Sequence, residues 1–181
     1  MNSENRTAGA RIVAVGGLSG SGKSTVAALL ALQLRATVLR SDVVRKEMAG
    51  VAAGQTLGPQ FYTADWHARV YAEMLRRAEA AARAGDTVIV DAVFARASER
   101  DAVRATAARA GVPFDGLWLD ATLEQRRARV AGRRNDASDA TVKTVEQQAD
   151  YEIGTLDWHR VPTDGLPEVI SRRAMVLLGL L

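Results

Sequence analysis

A glycine-rich segment near the start of the chain, Gly17-Leu18-Ser19-Gly20-Ser21-Gly22-Lys23-Ser24, constrains the fold more than any other feature. A β-branched run at residues 11–15 precedes it and predicts a buried strand, and a mostly apolar stretch at 23–35 follows it and predicts a helix. Its glycines permit backbone dihedrals that turn successive N–H groups inward. Together with the N-terminal end of the helix, those donors predict an anion-binding loop between a strand and a helix.

The same segment matches the pattern G-x-x-x-x-G-K-[ST] in full, which is typical of loops that hold nucleotide phosphates. Lys23 would place a cation on the β- and γ-phosphates, and the Ser24 hydroxyl would be a ligand of Mg²⁺. A chance glycine-rich turn is disfavoured, because strand, loop and helix follow one another in the required order. We expect ATP or GTP to bind to Gly17, Ser19, Gly20, Ser21, Gly22, Lys23, Ser24 and Thr25.

Short apolar runs alternate with longer helical stretches along the rest of the chain. Strands are predicted at residues 11–15, 37–40, 86–90, 113–119 and 158–161. Helices are predicted at about 23–35, 43–49, 63–84, 97–110, 122–131, 140–152 and from 166 onward, with a flexible loop at 50–60. This alternation implies right-handed βαβ units and a parallel sheet covered on both faces. The predicted fold is a three-layer, Rossmann-like α/β domain with about five parallel strands.

The composition agrees with one globular domain and excludes several kinds of site. The chain has 181 residues, 48% of them hydrophobic, and its net charge of +3 does not by itself require a nucleic-acid partner. It has no Cys, which excludes disulfides and Cys-based zinc sites, and its two His leave little material for a His-based metal site. Since the N-terminus has no apolar region, we expect a cytoplasmic protein without a membrane segment. Residues 1–10 should be a flexible N-terminus, and residues 11–181 a single domain.

Three further segments, together with the glycine-rich loop, resemble those of a known group of enzymes. They are Leu39-Arg40-Ser41-Asp42-Val43-Val44-Arg45-Lys46, Val88-Ile89-Val90-Asp91-Ala92 and Arg129-x-x-x-Arg133-Arg134-x-Asp136-Ala137-Ser138-Asp139. Over about residues 11–165 the chain resembles the small P-loop kinases that include polynucleotide 5′-hydroxyl kinases, zeta toxins, gluconate kinases and chloramphenicol phosphotransferase. It is most similar to the AAA-type ATP-binding domain that is sometimes fused to aminoglycoside-phosphotransferase-like domains.

The resemblance implies a P-loop kinase that uses ATP and Mg²⁺ and phosphorylates a hydroxyl group. Asp42 follows the second strand, at the edge where ligands of open α/β folds bind, and the resemblance implies that it is the base for the acceptor hydroxyl. Arg45, one helical turn further, would grip an acidic acceptor or orient Asp42. Asp91 ends the third strand and would hold Mg²⁺ or contact the acceptor. The alternatives are that Asp42 only caps the following helix and that Asp91 only bonds to its own turn.

An arginine-rich connector at about 126–142 occupies the lid position of the related kinases. An arginine delivered by a closing lid would stabilise the charge of the transferring phosphoryl group. Arg129 and Arg133 are four residues apart and can share one helical face, so we expect these two to act there. Ser138 or Asp139 is expected to cap the next helix. The cluster also includes Arg126, Arg127 and Arg134.

Two other groups of side chains bear on the acceptor. Tyr62 and Trp66, beside the glycine-rich stretch at 50–60, could stack on a base or sugar, or only anchor the long helix. Arg96, Arg100 and Arg104 form a stripe that could follow a nucleic-acid backbone, although such stripes are more often solvated helix faces.

The expected reaction is transfer of the γ-phosphoryl group from ATP·Mg²⁺ to a hydroxyl group of a small molecule. Lys23, Asp42, Arg129 and Arg133 are the expected catalytic residues, and the acceptor is expected to contact Asp42, Arg45, Tyr62 and Asp91. Two alternatives stay open at this point. One is a 5′-hydroxyl polynucleotide kinase, and the other is a nucleotide-binding switch or ATPase module that has no acceptor.

Overall fold

A computed structural model of the protein describes residues 9–133 and 136–181. The described chain forms a five-stranded parallel sheet with the strand order β2-β3-β1-β4-β5. The strands are β1 (Ile12–Gly16), β2 (Thr37–Arg40), β3 (Val88–Asp91), β4 (Phe114–Asp120) and β5 (His159–Pro162). Because β1 pairs with both β3 and β4, the strand that leads into the glycine-rich loop lies in the middle of the sheet.

Helices connect the strands and cover the sheet. They are α1 (Lys23–Leu34), α2 (Ser41–Met48), α3 (Ala64–Arg83), α4 (Ala97–Ala110), α5 (Leu123–Ala131), α6 (Val142–Gln147) and α7 (Pro167–Leu177), with a short 3-10 helix at Pro59–Tyr62.

Two apolar clusters separate the layers of the fold. In β1, Ile12 and Ala14 belong to a cluster with residues of α3 and α4, whereas Val13 and Val15 belong to a cluster with residues of α1 and α7. All four side chains are fully buried. Successive side chains of a strand point to opposite faces, so a strand covered on both faces is apolar at every position. The prediction of a three-layer α/β fold with five parallel strands is confirmed.

Two helix boundaries near the site differ from the sequence prediction. α2 begins at Ser41, which puts Asp42 in the first helical turn and Arg40 at the N-cap. The alternative that Asp42 caps this helix is therefore wrong. α6 ends at Gln147, well before the predicted end at residue 152, because the backbone continues in turns, with Ala149 N bonded to Glu146 O and Tyr151 N to Gln148 O.

The start of α6 also differs from the prediction. Thr141 is its N-cap and accepts a hydrogen bond from the backbone N–H of Thr144, so the capping role expected of Ser138 or Asp139 is wrong. Arg134 of the predicted lid, and residues 1–8 of the predicted flexible N-terminus, lie outside the described residues. Within the described ranges, no helix is both long enough and apolar enough to cross a membrane.

Candidate active site

The glycine-rich loop joins β1 to α1 at the carboxyl edge of the sheet. Gly17 has a φ of +138°, and a Cβ there would lie 2.6 Å from Ser21 Oγ, so the loop has no room for a side chain. Gly20 has a φ of +83°, and a Cβ there would lie 2.6 Å from the carbonyl oxygen of Arg126 in α5. These two positions require glycine because the backbone is left-handed and closely packed there.

Lys23 is the first residue of α1, and its ammonium group donates a hydrogen bond to the carbonyl oxygen of Leu18 at 3.2 Å. Burial lowers the pKa of Lys23, and the carboxylates of Asp91 and Asp42 oppose that shift. The charge of Arg133 lowers the pKa further. Lys23 therefore lies where the loop, two strand ends and the lid converge.

Asp91, the last residue of β3, and Ser24 together fit the predicted Mg²⁺ site. The Asp91 carboxyl is buried, and its Oδ2 accepts no hydrogen bond within the described chain although Arg40 Nε lies 3.4 Å away. Burial raises the pKa of Asp91, while the Lys23 charge and a hydrogen bond with the Ser24 side chain oppose the shift. Both residues line one cavity. A carboxylate and a hydroxyl are the hard oxygen ligands that Mg²⁺ prefers.

Asp42 is a partly exposed carboxylate on the β2 side of the loop. Its charge acts on the pKa values of Lys23 and Asp91, which places it close to the predicted phosphate and metal ligands. The described residues provide it with no ion pair, whereas Asp91 has Arg40. A carboxylate that is close to the phosphate loop and not neutralised by a partner can accept a proton from a hydroxyl group.

Arg40 connects the end of β2 to the lid. Its Nη2 donates to Asp136 Oδ1 at 2.9 Å, and its Nε lies 3.4 Å from Asp91 Oδ2. Burial of Asp136 would raise its pKa, but hydrogen bonds from Ser138 N and from Arg40 outweigh burial and lower it. Arg40 thus holds Asp136, in the segment predicted to form the lid, beside Asp91.

The two arginines predicted to act from the lid have different surroundings. Arg129, in the last turn of α5, donates from Nη1 to Ser21 O at 3.2 Å and from Nη2 to Thr163 O at 2.6 Å. It therefore supports the glycine-rich loop from the β5 side. Arg133 follows the end of α5, and its buried Nη1 has no hydrogen-bond partner among the described residues. Of the two, Arg133 therefore has an N–H group left to donate to a phosphoryl oxygen.

Arg45 and Tyr62 form the wall of the site on the side of α2. Arg45 is buried, donates from Nη1 to Phe61 O at 2.7 Å, and has its guanidinium carbon 5.0 Å from the centre of the Tyr62 ring. These contacts tie α2 to the short 3-10 helix. The Trp66 ring packs edge-on against Phe61 with centroids 5.0 Å apart, which agrees with the anchoring alternative for that residue.

Asp139 joins the lid to the loop between α2 and α3. It accepts hydrogen bonds from Lys46 Nζ at 3.0 Å, Leu57 N at 3.0 Å and the Tyr62 hydroxyl at 2.5 Å. Lys46 is only 2% exposed and also donates to Ala53 O at 2.9 Å. Sequence analysis missed this cluster, because Asp139 lies 93 residues from Lys46 and 82 residues from Leu57 in the chain, and no local pattern connects them.

One cavity of ≈ 1090 Å³ brings nearly all of the predicted site residues together. The predicted residues in its wall are Ser19, Gly20, Gly22, Lys23, Ser24, Thr25, Asp42, Arg45, Tyr62, Asp91, Arg129 and Arg133. Gly17 and Ser21 are predicted site residues that do not line the cavity. They pack against each other inside the loop, where Ser21 is 1% exposed.

The cavity also contains side chains that sequence reasoning did not select. His67 Nε2 lies 2.8 Å from Glu99 Oε1, and the His67 ring stacks on Tyr71 with centroids 4.4 Å apart. Gln148 lies against the glycine-rich loop, where its Oε1 accepts the Ser19 N–H at 2.7 Å. No local pattern marks these residues, since their partners are distant in the sequence.

The arginine stripe on α4 is not a free basic face. Arg100 is 2% exposed and donates to four backbone carbonyls, those of Phe94, Ala95, Ile153 and Thr155. Arg104 pairs with Asp157, and Arg96 lies 3.9 Å from Glu99. The stripe fits the structural alternative rather than a nucleic-acid surface.

Comparison with known sequences gives a family and distant relatives. A family model described as AAA domain matches residues 12–152 of the chain. Uncharacterized proteins of Mycobacterium tuberculosis and Mycobacterium bovis are 31% identical over 163 residues, which cover 86% of this chain. Those residues make up 32% of the relatives, so the chain spans about a third of the length of the curated proteins it matches.

Solved structures share the fold at lower sequence identity. The Mycobacterium tuberculosis APS kinase in complex with AMPPNP and APS has a TM-score of 0.72 and 23% identity, covering 94% of this chain and 98% of that one. A sugar kinase from Janibacter has a TM-score of 0.68 and 24% identity, with coverages of 94% and 95%. A gluconokinase from Sinorhizobium meliloti has a TM-score of 0.67 and 22% identity, with coverages of 94% and 91%. These similarities establish the fold of small P-loop kinases.

Proposed function

The chain belongs to the AAA domain family, and from that premise we propose that it is an ATP- and Mg²⁺-dependent kinase that phosphorylates a hydroxyl group of a small molecule. One observation carries the proposal: the glycine-rich loop, Asp91 and Asp42 line the same cavity. The loop and Asp91 are sufficient to bind a nucleotide and a metal ion. Asp42, a carboxylate without an ion pair in the described chain, is what transfer to a hydroxyl group needs in addition.

Each residue has a separate task in this reaction. The loop N–H groups and Lys23 bind the β- and γ-phosphates. Ser24 and Asp91 would hold Mg²⁺, which would supply neutralising charge at the phosphates. Asp42 orients the acceptor hydroxyl and takes its proton as the oxygen attacks the γ-phosphorus. Arg133 donates its Nη1–H, which has no partner among the described residues, to the transferring phosphoryl group, where charge spreads over three oxygens.

The charges around the cavity favour a small acceptor over a polynucleotide. Among the described residues, seven carboxylates and five lysine or arginine side chains line the cavity, so this part of the wall has no excess of positive charge. A surface that follows a nucleic-acid backbone needs such an excess, because phosphate contacts are made mainly by Arg and Lys. The arginine stripe on α4 does not supply it, since Arg100 is buried.

Phosphoryl transfer is tested with γ-labelled ATP and the purified protein, wild type beside Asp42→Asn and Lys23→Ala. Separate pools of sugars, amino sugars and nucleosides, and a 5′-hydroxyl oligonucleotide, serve as acceptors. We expect label on a small molecule, lost in Lys23→Ala and reduced roughly 10²–10⁴-fold in Asp42→Asn, the usual contribution of a positioned base. ATP affinity should be unchanged in Asp42→Asn.

Asp65→Asn is the matched control, because Asp65 is an exposed carboxylate at the start of α3 that pairs only loosely with Arg69. Its transfer rate should equal that of the wild type. Label released only as phosphate, equally in wild type and Asp42→Asn, would contradict the kinase and support an ATPase or switch module. Label on the oligonucleotide alone would replace the small acceptor by a polynucleotide.

A further inference from the structure

Gln148 is a buried side chain held against the glycine-rich loop. It follows the last residue of α6, is 7% exposed, and accepts the backbone N–H of Ser19 on its Oε1 at 2.7 Å. Both residues line the cavity together with Lys23. The contact therefore brings a side chain from the lid region to the wall on which the nucleotide phosphates are expected.

The two ends of the Gln148 amide have different partners. A side-chain amide has one oxygen acceptor and an NH₂ group with two donors. The oxygen is bonded to Ser19, which fixes the plane of the amide beside the loop. The NH₂ group has no hydrogen-bond partner among the described residues and is not one of their buried unpaired atoms, so it is accessible to a ligand from the cavity. A ligand oxygen in the cavity would complete the set.

The position of α6 is fixed independently of this amide. Its Val145 side chain is fully buried, and Glu146 Oε1 accepts from Arg127 of α5 at 3.0 Å. Gln148 is therefore not the only residue that holds α6 on the protein. The bond between Gln148 and Ser19 also places an amide donor next to the expected position of the phosphates.

We propose that Gln148 binds the terminal phosphoryl group of the nucleotide, with its oxygen on Ser19 and its NH₂ group donating to a γ-phosphate oxygen. This rests on the proposed function, since it requires that the loop bind ATP. In the diphosphate the NH₂ group has no such partner. Gln148 thus distinguishes ATP from ADP, and it couples the end of α6 to the γ-phosphate.

The test compares ATP and ADP affinities, with Mg²⁺, for wild type, Gln148→Ala and Gln148→Glu. A hydrogen bond to a charged group contributes enough for about a tenfold change, so Gln148→Ala should bind ATP about tenfold more weakly and ADP within twofold of wild type. Gln148→Glu should lose more ATP affinity, because a carboxylate faces the phosphate. Lys143→Ala is the control, because Lys143 is an exposed residue of the same helix that does not line the cavity, and it should match the wild type for both nucleotides.

Unchanged ADP affinity shows that the variants are folded, so the comparison does not depend on their stability. Equal losses for ATP and ADP would overturn the proposal and leave Gln148 as a structural tie to the loop. No loss for either nucleotide would overturn it as well. A wild-type protein that binds neither nucleotide would instead refute the proposed function, and the inference with it.

Discussion

At the scale of single residues, the ion pair of Lys46 with Asp139 supports the acceptor side of the site. Asp139→Ala would leave the ammonium group of Lys46, which is 2% exposed, without its carboxylate. Removing one partner of a buried pair costs about 3–5 kcal/mol, and we expect a loss of that size in the free energy of unfolding at pH 7. Urea denaturation measures it. A loss below about 1 kcal/mol would contradict the assignment.

Lys46→Met is the matched variant, and its loss should be smaller. Asp139 would keep its hydrogen bonds from Leu57 N and the Tyr62 hydroxyl, so its charge would stay partly compensated. Lys46 would be replaced by an apolar side chain of similar length. Equal losses of unfolding free energy in the two variants would contradict the charge argument and show that the two side chains contribute only through packing.

The lowered pKa of Asp139 predicts that the stability of the protein depends on pH. Burial would raise the pKa of Asp139, but hydrogen bonds from Tyr62, Leu57 and Lys46 outweigh burial and lower it. A lowered folded-state pKa contributes stability above the unfolded value near 4, and this stability is lost as the pH falls through the folded value. The difference in the free energy of unfolding between wild type and Asp139→Ala should therefore become smaller below about pH 4. Urea denaturation at pH 7 and pH 3 measures it. A difference that is constant with pH would contradict the charge assignment.

Residues of the site were predictable from sequence where the chemistry is local. Lys23 and Ser24 belong to a contiguous motif, and Asp91 ends an apolar run, so each can be found from its neighbours in the chain. Asp139 and Gln148 could not be found this way. Their partners are more than 80 residues distant in the sequence, Leu57 for Asp139 and Ser19 for Gln148, so local patterns indicated a cap and a helix.

At the scale of elements, Arg100 fixes the segment between α6 and β5 onto α4. Its guanidinium donates to the carbonyls of Ile153 and Thr155 at 2.8 and 3.0 Å. Arg100→Met would leave these acceptors and those of the loop before α4 without a donor. We expect a loss of at least about 3 kcal/mol in the free energy of unfolding, since one buried and three partly buried carbonyls would lose their donor together.

Arg104→Ala is the control on the same helix. Arg104 is 43% exposed and pairs with Asp157 at the surface, so its removal should cost no more than about 1 kcal/mol. Thermal or urea denaturation of both variants measures the difference. Similar losses for the two arginines would contradict the assignment of Arg100 as the buried member of the stripe.

The helix boundaries show why the elements were only partly predictable. The bounds of α3 agree closely with the sequence prediction, because a long amphipathic pattern, a threonine cap and a following glycine all point to the same ends. α6 is only six residues long, and after it the backbone turns while the Gln148 side chain bonds to the glycine-rich loop. Tertiary contacts override local propensity most easily in such short helices.

At the scale of the whole molecule, the alternation of strands and helices was enough to predict the layers of the fold. The strand order was not predictable in the same way, since it depends on which edge each crossover takes. In the order β2-β3-β1-β4-β5, the central β1 separates the side of Asp42 and Asp91 from the side of β4 and β5. The predicted acceptor residues Asp42, Arg45 and Tyr62 consequently lie on the β2 and β3 side of the glycine-rich loop.

The charge distribution of the whole molecule predicts how phosphoryl transfer responds to salt. A polynucleotide acceptor held by 6–10 phosphate contacts would lose roughly 10³–10⁵ in affinity between 50 and 200 mM salt, because bound counterions are released. The net charge is only +3, and carboxylates outnumber lysines and arginines among the described residues of the cavity wall. We therefore expect kcat/KM for the acceptor to change less than about threefold over that range. A steep fall would contradict the small acceptor and indicate a polyanion, whose phosphates would need more cations than the five that the described residues place in the cavity wall.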